Sequence, residues 1–355
     1  MKTKNFLRLF SLALALTVSL GLAACGEKTT PTPAASTPPD QVYKFNLGTN
    51  YTTPDDSLEW RDSLAFTARF FVETVEERSG GRIQIEPFYN SVLGGEVDMF
   101  GQVQNGDLDF LYGRPYSTQN RKFGAMSIPY LFTSPEAVIR ATYGADAPFT
   151  ALASPWFDDV DIKLLSISLG SIRGIASKSP IIQPVDAKAL KIRIVEDTVT
   201  NAFWRGLSTA SPMPMSEVYS ALQTGTIDGC EMATTTIYNR KFYEVCQYYT
   251  DIDWQWAAAG CFFMNPAAFD SLPADLQKIV LECAWEAANN QNQMELANMK
   301  TAYQKLAEND VEVYYLTDAE RQLWIDYART LDDVMKAEVG ADVFDACMEI
   351  AKSVN

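Results

Sequence analysis

From residue 43 to residue 112 the sequence alternates short apolar stretches with segments of helical periodicity, and this alternation restricts the chain to a layered α/β fold. Residues 43–48 read as a strand. Residues 58–78 read as a helix with Leu64, Ala68, Phe71 and Val75 on one face, and residues 83–89 as a strand entered through Gly80-Gly81. A second round follows: a helix over 95–104, stopped by Asn105-Gly106, then the short strand 108–112. Strands joined through helices run in one direction, so the first domain is expected to carry a mainly parallel sheet.

The remainder repeats the theme with less regularity. Strands are expected at 162–169, 173–177, 191–195, 227–232, 261–264 and 311–316. One helix starts near Asp197, and Ser216 is the expected N-cap of a helix carrying Val218, Tyr219 and Leu222 and ended by Gly225. From Pro273 a long helix begins, and Thr317 with Glu320 forms a capping box on a later one. This order fits two α/β lobes crossed several times by the chain. The expected division is 42–170 with 259–297 for the first lobe and 171–258 with 298–355 for the second.

The N-terminus is of another kind. Lys2, Lys4 and Arg8 precede an apolar run over residues 9–20, then Leu22-Ala23-Ala24 and Cys25, which reads as an export signal (1–24) followed by a cysteine to be acylated. Residues 25–41 hold four prolines and nothing to bury, and are expected to form a solvated tether between a membrane and the globular body. Loss of the signal takes the net charge from −16 to −19, which argues against nucleic acid as a partner but not against a small anion in a cleft. With no histidine, Ser-His-Asp and Cys-His catalysis and His-containing zinc sites are excluded. No cofactor or metal is expected. Cys230, Cys246, Cys261, Cys283 and Cys347 have no C-x-x-C spacing and are either partly disulfide-bonded or simply buried.

One residue carries chemistry. Arg193 sits in the apolar strand Lys191-Ile192-Arg193-Ile194-Val195, and burying a guanidinium costs several kcal/mol without an anionic partner. Its partner is either a protein carboxylate such as Glu196 or the carboxylate of a ligand, which a planar guanidinium holds through charge-assisted bonds that lysine does not reproduce.

Several segments in order resemble the solute-binding proteins of tripartite ATP-independent periplasmic (TRAP) transporters, the DctP-like group. They are Gly80-Gly81-Arg82-Ile83, Ser91-Val92-Leu93-Gly94-Gly95-Glu96, Gln104-Asn105-Gly106-Asp107-Leu108-Asp109, Ile128-Pro129-Tyr130-Leu131-Phe132 and Leu190-Lys191-Ile192-Arg193. Ser216-Glu217-Val218-Tyr219-Ser220-Ala221-Leu222-Gln223-Thr224-Gly225, Ile227-Asp228-Gly229 and Lys241-Phe242-Tyr243-Glu244-Val245 complete the set. The resemblance implies a two-lobed clamshell with a long helix spanning both lobes, an organic-acid ligand between them and a membrane permease as recipient. It implies that Arg193 holds the ligand carboxylate and that Arg173, flanked by Gly170 and Gly174, assists.

Asn50 falls on a family pocket position, and reads either as a ligand contact or as a turn residue. Glu96 is either a ligand contact or a helix N-terminal cap. Relatives that bind sialic acid have a glutamate where this chain has Arg114, an aromatic in place of Met215 and an asparagine in place of Met232. These departures point away from sialic acid and toward a small mono- or dicarboxylate, with Arg114 either binding a second anionic group or pointing to solvent. Tyr112, Trp204, Tyr238, Trp254 and Trp256 divide between pocket wall and core. The expected activity is therefore capture of an organic acid outside the cytoplasm and delivery to a permease, without catalysis. The alternatives are a binding module feeding a sensor and a glycoside hydrolase working through paired carboxylates.

Overall fold

The computed structural model describes residues 41–57, 61–257 and 260–355. The signal, Cys25 and all of the tether but Gln41 lie outside them, as does the expected first turn of the helix at 58–60. Among the described residues that helix is Ser63–Arg78, because the Asp62 carboxylate accepts from the backbone N–H groups of Leu64 and Ala65 and caps it.

Eleven strands are present among the described residues: β1 Tyr43–Thr49, β2 Ile83–Phe88, β3 Phe110–Gly113, β4 Lys163–Ser168, β5 Ser171–Ser177, β6 Lys191–Ile194, β7 Thr209–Pro212, β8 Gly229–Ala233, β9 Tyr248–Ala257, β10 Gly260–Met264 and β11 Glu312–Tyr315. They form two sheets, one of order β2-β1-β3-β10-β4 and one of order β11-β9-β5-β8-β6-β7. In the first, β2, β1 and β3 are parallel as the βαβ pattern requires, and β10 returns from the second sheet to lie antiparallel between β3 and β4. The second is mixed, with β5 antiparallel to both β8 and β9 while β6 is parallel to β7 and β8.

Gly106 and Gly225 end their helices in the left-handed conformation, at φ of 79° and 74°, as the sequence suggests. Ser216 is not an N-cap: the helix begins one residue earlier, at Met215, behind Pro214. Gly174 is needed for the protein's own packing rather than for a ligand, since a Cβ there would lie 2.5 Å from the Thr250 carbonyl oxygen at the β5–β9 irregularity. The five cysteines of the body are buried with free thiols, which settles the disulfide alternative in favour of core packing.

The helix Ala274–Ala307, about 51 Å long at 1.5 Å per residue, ties the two sheets together. Its first half packs on the helix Ser63–Arg78 and β4, burying Val280, Cys283, Ala284 and Ala287; its far end packs on the helix Thr234–Asn239 and β11, burying Leu306. Between these apolar segments, where the chain crosses between sheets, the buried residues are polar. Gln291 accepts from Thr67 (2.9 Å) and donates to the Leu169 carbonyl (3.2 Å), and Asn292 accepts from the Leu169 N–H (2.7 Å). Glu295, fully buried, accepts from Ser63 (2.5 Å) at the start of the first-sheet helix and from Thr235 (2.9 Å) beside the second sheet.

Burial pushes the Glu295 carboxyl from 4.5 up to about 7, and the hydroxyls of Ser63, Ser171 and Thr235 only partly oppose this. A raised carboxyl contributes stability that is fully present below its unfolded value and is lost as pH rises through its folded value. Chemical denaturation at pH 5 and pH 8 is therefore expected to show wild type losing ~2 kcal/mol more than Glu295→Gln, whose amide does not ionise. Equal losses in the two proteins would contradict this assignment.

Candidate functional site: an arginine-lined cleft

A cavity of about 660 Å³ opens between the sheets, and all seven residues singled out in the sequence line it: Asn50, Glu96, Arg114, Arg173, Arg193, Met215 and Met232. They come from the end of β1, the start of the helix Glu96–Asn105, the chain after β3, then β5, β6, the start of the helix Met215–Thr224, and β8.

The centre is a triad on adjacent strands of the second sheet. Register places Arg193 of β6 opposite Cys230 of β8 and Arg173 of β5 opposite Ala233, and β8, which carries Glu231, lies between the two arginine-bearing strands. Its carboxylate is committed to Arg173, whose Nε donates to Oε2 and whose Nη2 donates to the Glu231 carbonyl (2.8 Å), while Oε1 accepts from the Val195 N–H (3.2 Å). Arg193 instead donates from Nε (2.9 Å) and Nη2 (2.6 Å) to the carbonyl of Met213, and its Nη1 is buried without a hydrogen-bond partner. Among the described residues no carboxylate lies within salt-bridge distance of it. The pairing with Glu196 does not form, although Glu196 lines the same cavity. Burial pulls the Arg193 pKa down, and the nearby Glu231 charge only partly offsets that pull.

Arg114 is only 3% exposed, which excludes the solvent-facing reading. Its Nη2 donates to Ser127 (2.8 Å), its guanidinium lies 5.1 Å from the centre of the Tyr116 ring, and its Nε and Nη1 are buried without partners. Glu96 stands in the first turn of its helix, where a negative charge is favourable, but it makes no capping hydrogen bond. Asp98 accepts from the Gly95 N–H, whereas Glu96 accepts from the Tyr116 hydroxyl (2.5 Å) and the Arg114 N–H (3.3 Å), its pKa raised by burial. The turn after β1 is closed by Thr49, whose hydroxyl accepts from the Tyr51 N–H (3.2 Å), so Asn50 is not the turn-forming side chain; its Oδ1 is buried and unpartnered.

Met215 is half-buried at the rim, and Met232 is buried against Val218, Leu222 and Ile237. Of the aromatic candidates, Tyr112, Trp204, Trp254 and Trp256 belong to the core, and Tyr238 lines a smaller neighbouring pocket. Tyr51 and Tyr116, which the sequence pattern did not mark, are the aromatics of the cleft. Asp62 and Arg240 were also missed. Neither sits in a distinctive motif, and only the approach of the two sheets brings them together.

The cleft thus offers unpartnered donors from Arg193 and Arg114 and an unpartnered acceptor from Asn50. Such a site suits an anion carrying further oxygen groups.

The family model for bacterial extracellular solute-binding protein, family 7 (DctP), matches residues 60–337. A solute-binding protein of Verminephrobacter eiseniae is 34% identical over 61% of this chain and 65% of its own length. The C4-dicarboxylate-binding periplasmic protein DctP of Shewanella loihica is 28% identical over 78% of this chain and 83% of its own. Among solved structures, a TRAP periplasmic solute-binding protein of Shewanella oneidensis with bound succinate superposes with a TM-score of 0.79 at 24% identity, covering 88% of this chain and 99% of that one. The sugar-acid-binding protein of Advenella mimigardefordensis in complex with galactonate gives 0.80 at 22% identity, covering 89% and 99%. Both share the two-lobed fold described above. The chain belongs to the DctP family, family 7 of the bacterial extracellular solute-binding proteins.

Proposed function

We propose that this protein captures a small organic acid in the cleft, with Arg193 as the carboxylate clamp, and hands it to a TRAP-type permease without making or breaking a bond. The single observation that carries this reading is the unpartnered Nη1 of a buried Arg193, whose available protein carboxylate, Glu231, is committed to Arg173. A ligand carboxylate supplies the missing charge, and its own desolvation is offset by the bond it gains.

Arg173 then acts mainly by holding Glu231 in place between the strands. Arg114, with two free N–H positions, suits a second carboxylate or hydroxyl, and Asn50 a ligand hydroxyl. Met215 and Met232 supply apolar wall where a polar group would otherwise select a larger polar ligand. The volume accommodates a C4 dicarboxylate or a sugar acid, the two classes held by the Shewanella and Advenella relatives. The family works outside the cytoplasm; acylation of Cys25, with residues 26–41 as tether, would hold the body at the membrane surface. In keeping with the two sheets, residues 42–170 and 259–297 form one lobe and residues 171–258 and 298–355 the other.

Calorimetry with succinate and galactonate tests the clamp. Arg193→Ala is expected to cost ~2–5 kcal/mol of affinity, and Arg193→Lys to leave most of that loss in place. An unchanged dissociation constant in Arg193→Ala would remove the assignment. Arg114 is tested by contrast between ligands: Arg114→Gln is expected to weaken a dicarboxylate about tenfold, ~1.4 kcal/mol, and the matching monocarboxylate far less. Equal weakening of both would assign Arg114 a purely structural part.

A further inference from the structure

Arg240 lies at the end of the helix Thr234–Asn239, which follows β8 of the second sheet, and it lines the cleft. Its Nη2 donates to the backbone carbonyl of Asn50 (2.8 Å), in the turn directly after β1 of the first sheet. This bond therefore joins the two walls of the cavity directly. The backbone on the arginine side is held in turn: the Arg240 N–H donates to Thr236 (3.0 Å), the Lys241 N–H donates to Tyr238 (3.0 Å), and Lys241 takes a positive φ of 57°. Burial disfavours the Arg240 charge, and Asp62, then Tyr51 and Glu96, offset part of that cost. Asp62 is the cap of the helix Ser63–Arg78 and also accepts from Thr52 (3.0 Å), so the arginine faces the segment on both sides of the turn after β1.

On the other side of the bond, the Asn50 carboxamide has an unpartnered oxygen in the cleft, and no bond from that oxygen sets its direction. Its aim depends on the backbone that Arg240 holds.

We propose that Arg240 is a positioning residue that pins Asn50 from across the cleft, aims its carboxamide at the ligand and stabilises the closed arrangement of the two walls. The proposal rests on the carboxylate-binding reading above for its ligand but not for the contact itself. A bond across the cleft forms only when the walls approach, so it adds to affinity through closure and slows release. Lysine keeps a cationic donor on a similar stem, whereas alanine keeps none.

The test uses the full body of the protein, with succinate as probe, and the variants Arg240→Ala, Arg240→Lys, Asn50→Ala and the double Arg240→Ala/Asn50→Ala. Arg240→Ala is expected to bind at least tenfold more weakly, chiefly through faster dissociation, and Arg240→Lys to recover a large part of the loss. The double variant is expected to bind no worse than the weaker single one, because the two residues act through one contact. Wild-type affinity in Arg240→Ala, no recovery in Arg240→Lys, or additive losses would overturn the proposal.

Amide exchange without any acid decides the contact separately. Arg240→Ala is expected to exchange faster at residues 49–52, and unchanged protection there overturns the proposal whatever the binding data show. If wild type ignores succinate and galactonate while that exchange difference is present, the carboxylate reading falls and the positioning contact stands.

Discussion

A guanidinium buried without a carboxylate of its own is the constraint on which the site depends. Arg193 is fixed by the Met213 carbonyl, which satisfies two of its nitrogens but neutralises nothing. Glu231 lies close enough to ease the burial of two arginines and bonds only one of them. Ion pairs in a protein interior cost several kcal/mol to desolvate, and a pair left open is tolerated where a ligand closes it. Positive charge is thereby held, without a bonded carboxylate, beside the cleft.

The scaffold around this charge is tied at the crossing between the two sheets. The helix Ala274–Ala307 runs along both sheets, and its polar middle bonds Ser63, Leu169 and Thr235, which come from three different places at the crossing. These contacts are buried and hydrogen-bonded, so they hold one edge of the cleft. On the opposing faces, Arg240 bonds the Asn50 carbonyl, and Ser117 bonds Asp197 and Thr198. Affinity in such a molecule is set as much by what joins the walls as by what touches the ligand.

Much of this was legible in the sequence. The βαβ units, the helix-ending Gly106 and Gly225, the Thr317 and Glu320 capping box and the long helix after Pro273 are local signals, and each appears where the pattern placed it. Arg193 was legible because an arginine within an apolar strand conflicts with its surroundings. The failures are those of non-local geometry. Ser216 has the chemistry of an N-cap, but Pro214 sets the helix start one residue ahead of it. Glu96 sits where a capping carboxylate is favourable, yet Tyr116 and Arg114 reach it from the chain after β3. That Glu231 serves Arg173 rather than Arg193 is decided by strand register, and Arg240 meets Asn50 across 190 residues of sequence. No spacing rule reports either fact.

The Arg193 clamp is tested most directly by a crystal structure of the protein with the ligand it retains through purification. A carboxylate is expected in the cleft with an oxygen ~2.7–2.9 Å from Arg193 Nη1, Glu231 still bonded to Arg173. A neutral ligand, or an acid whose carboxylate sits away from Arg193, would contradict it.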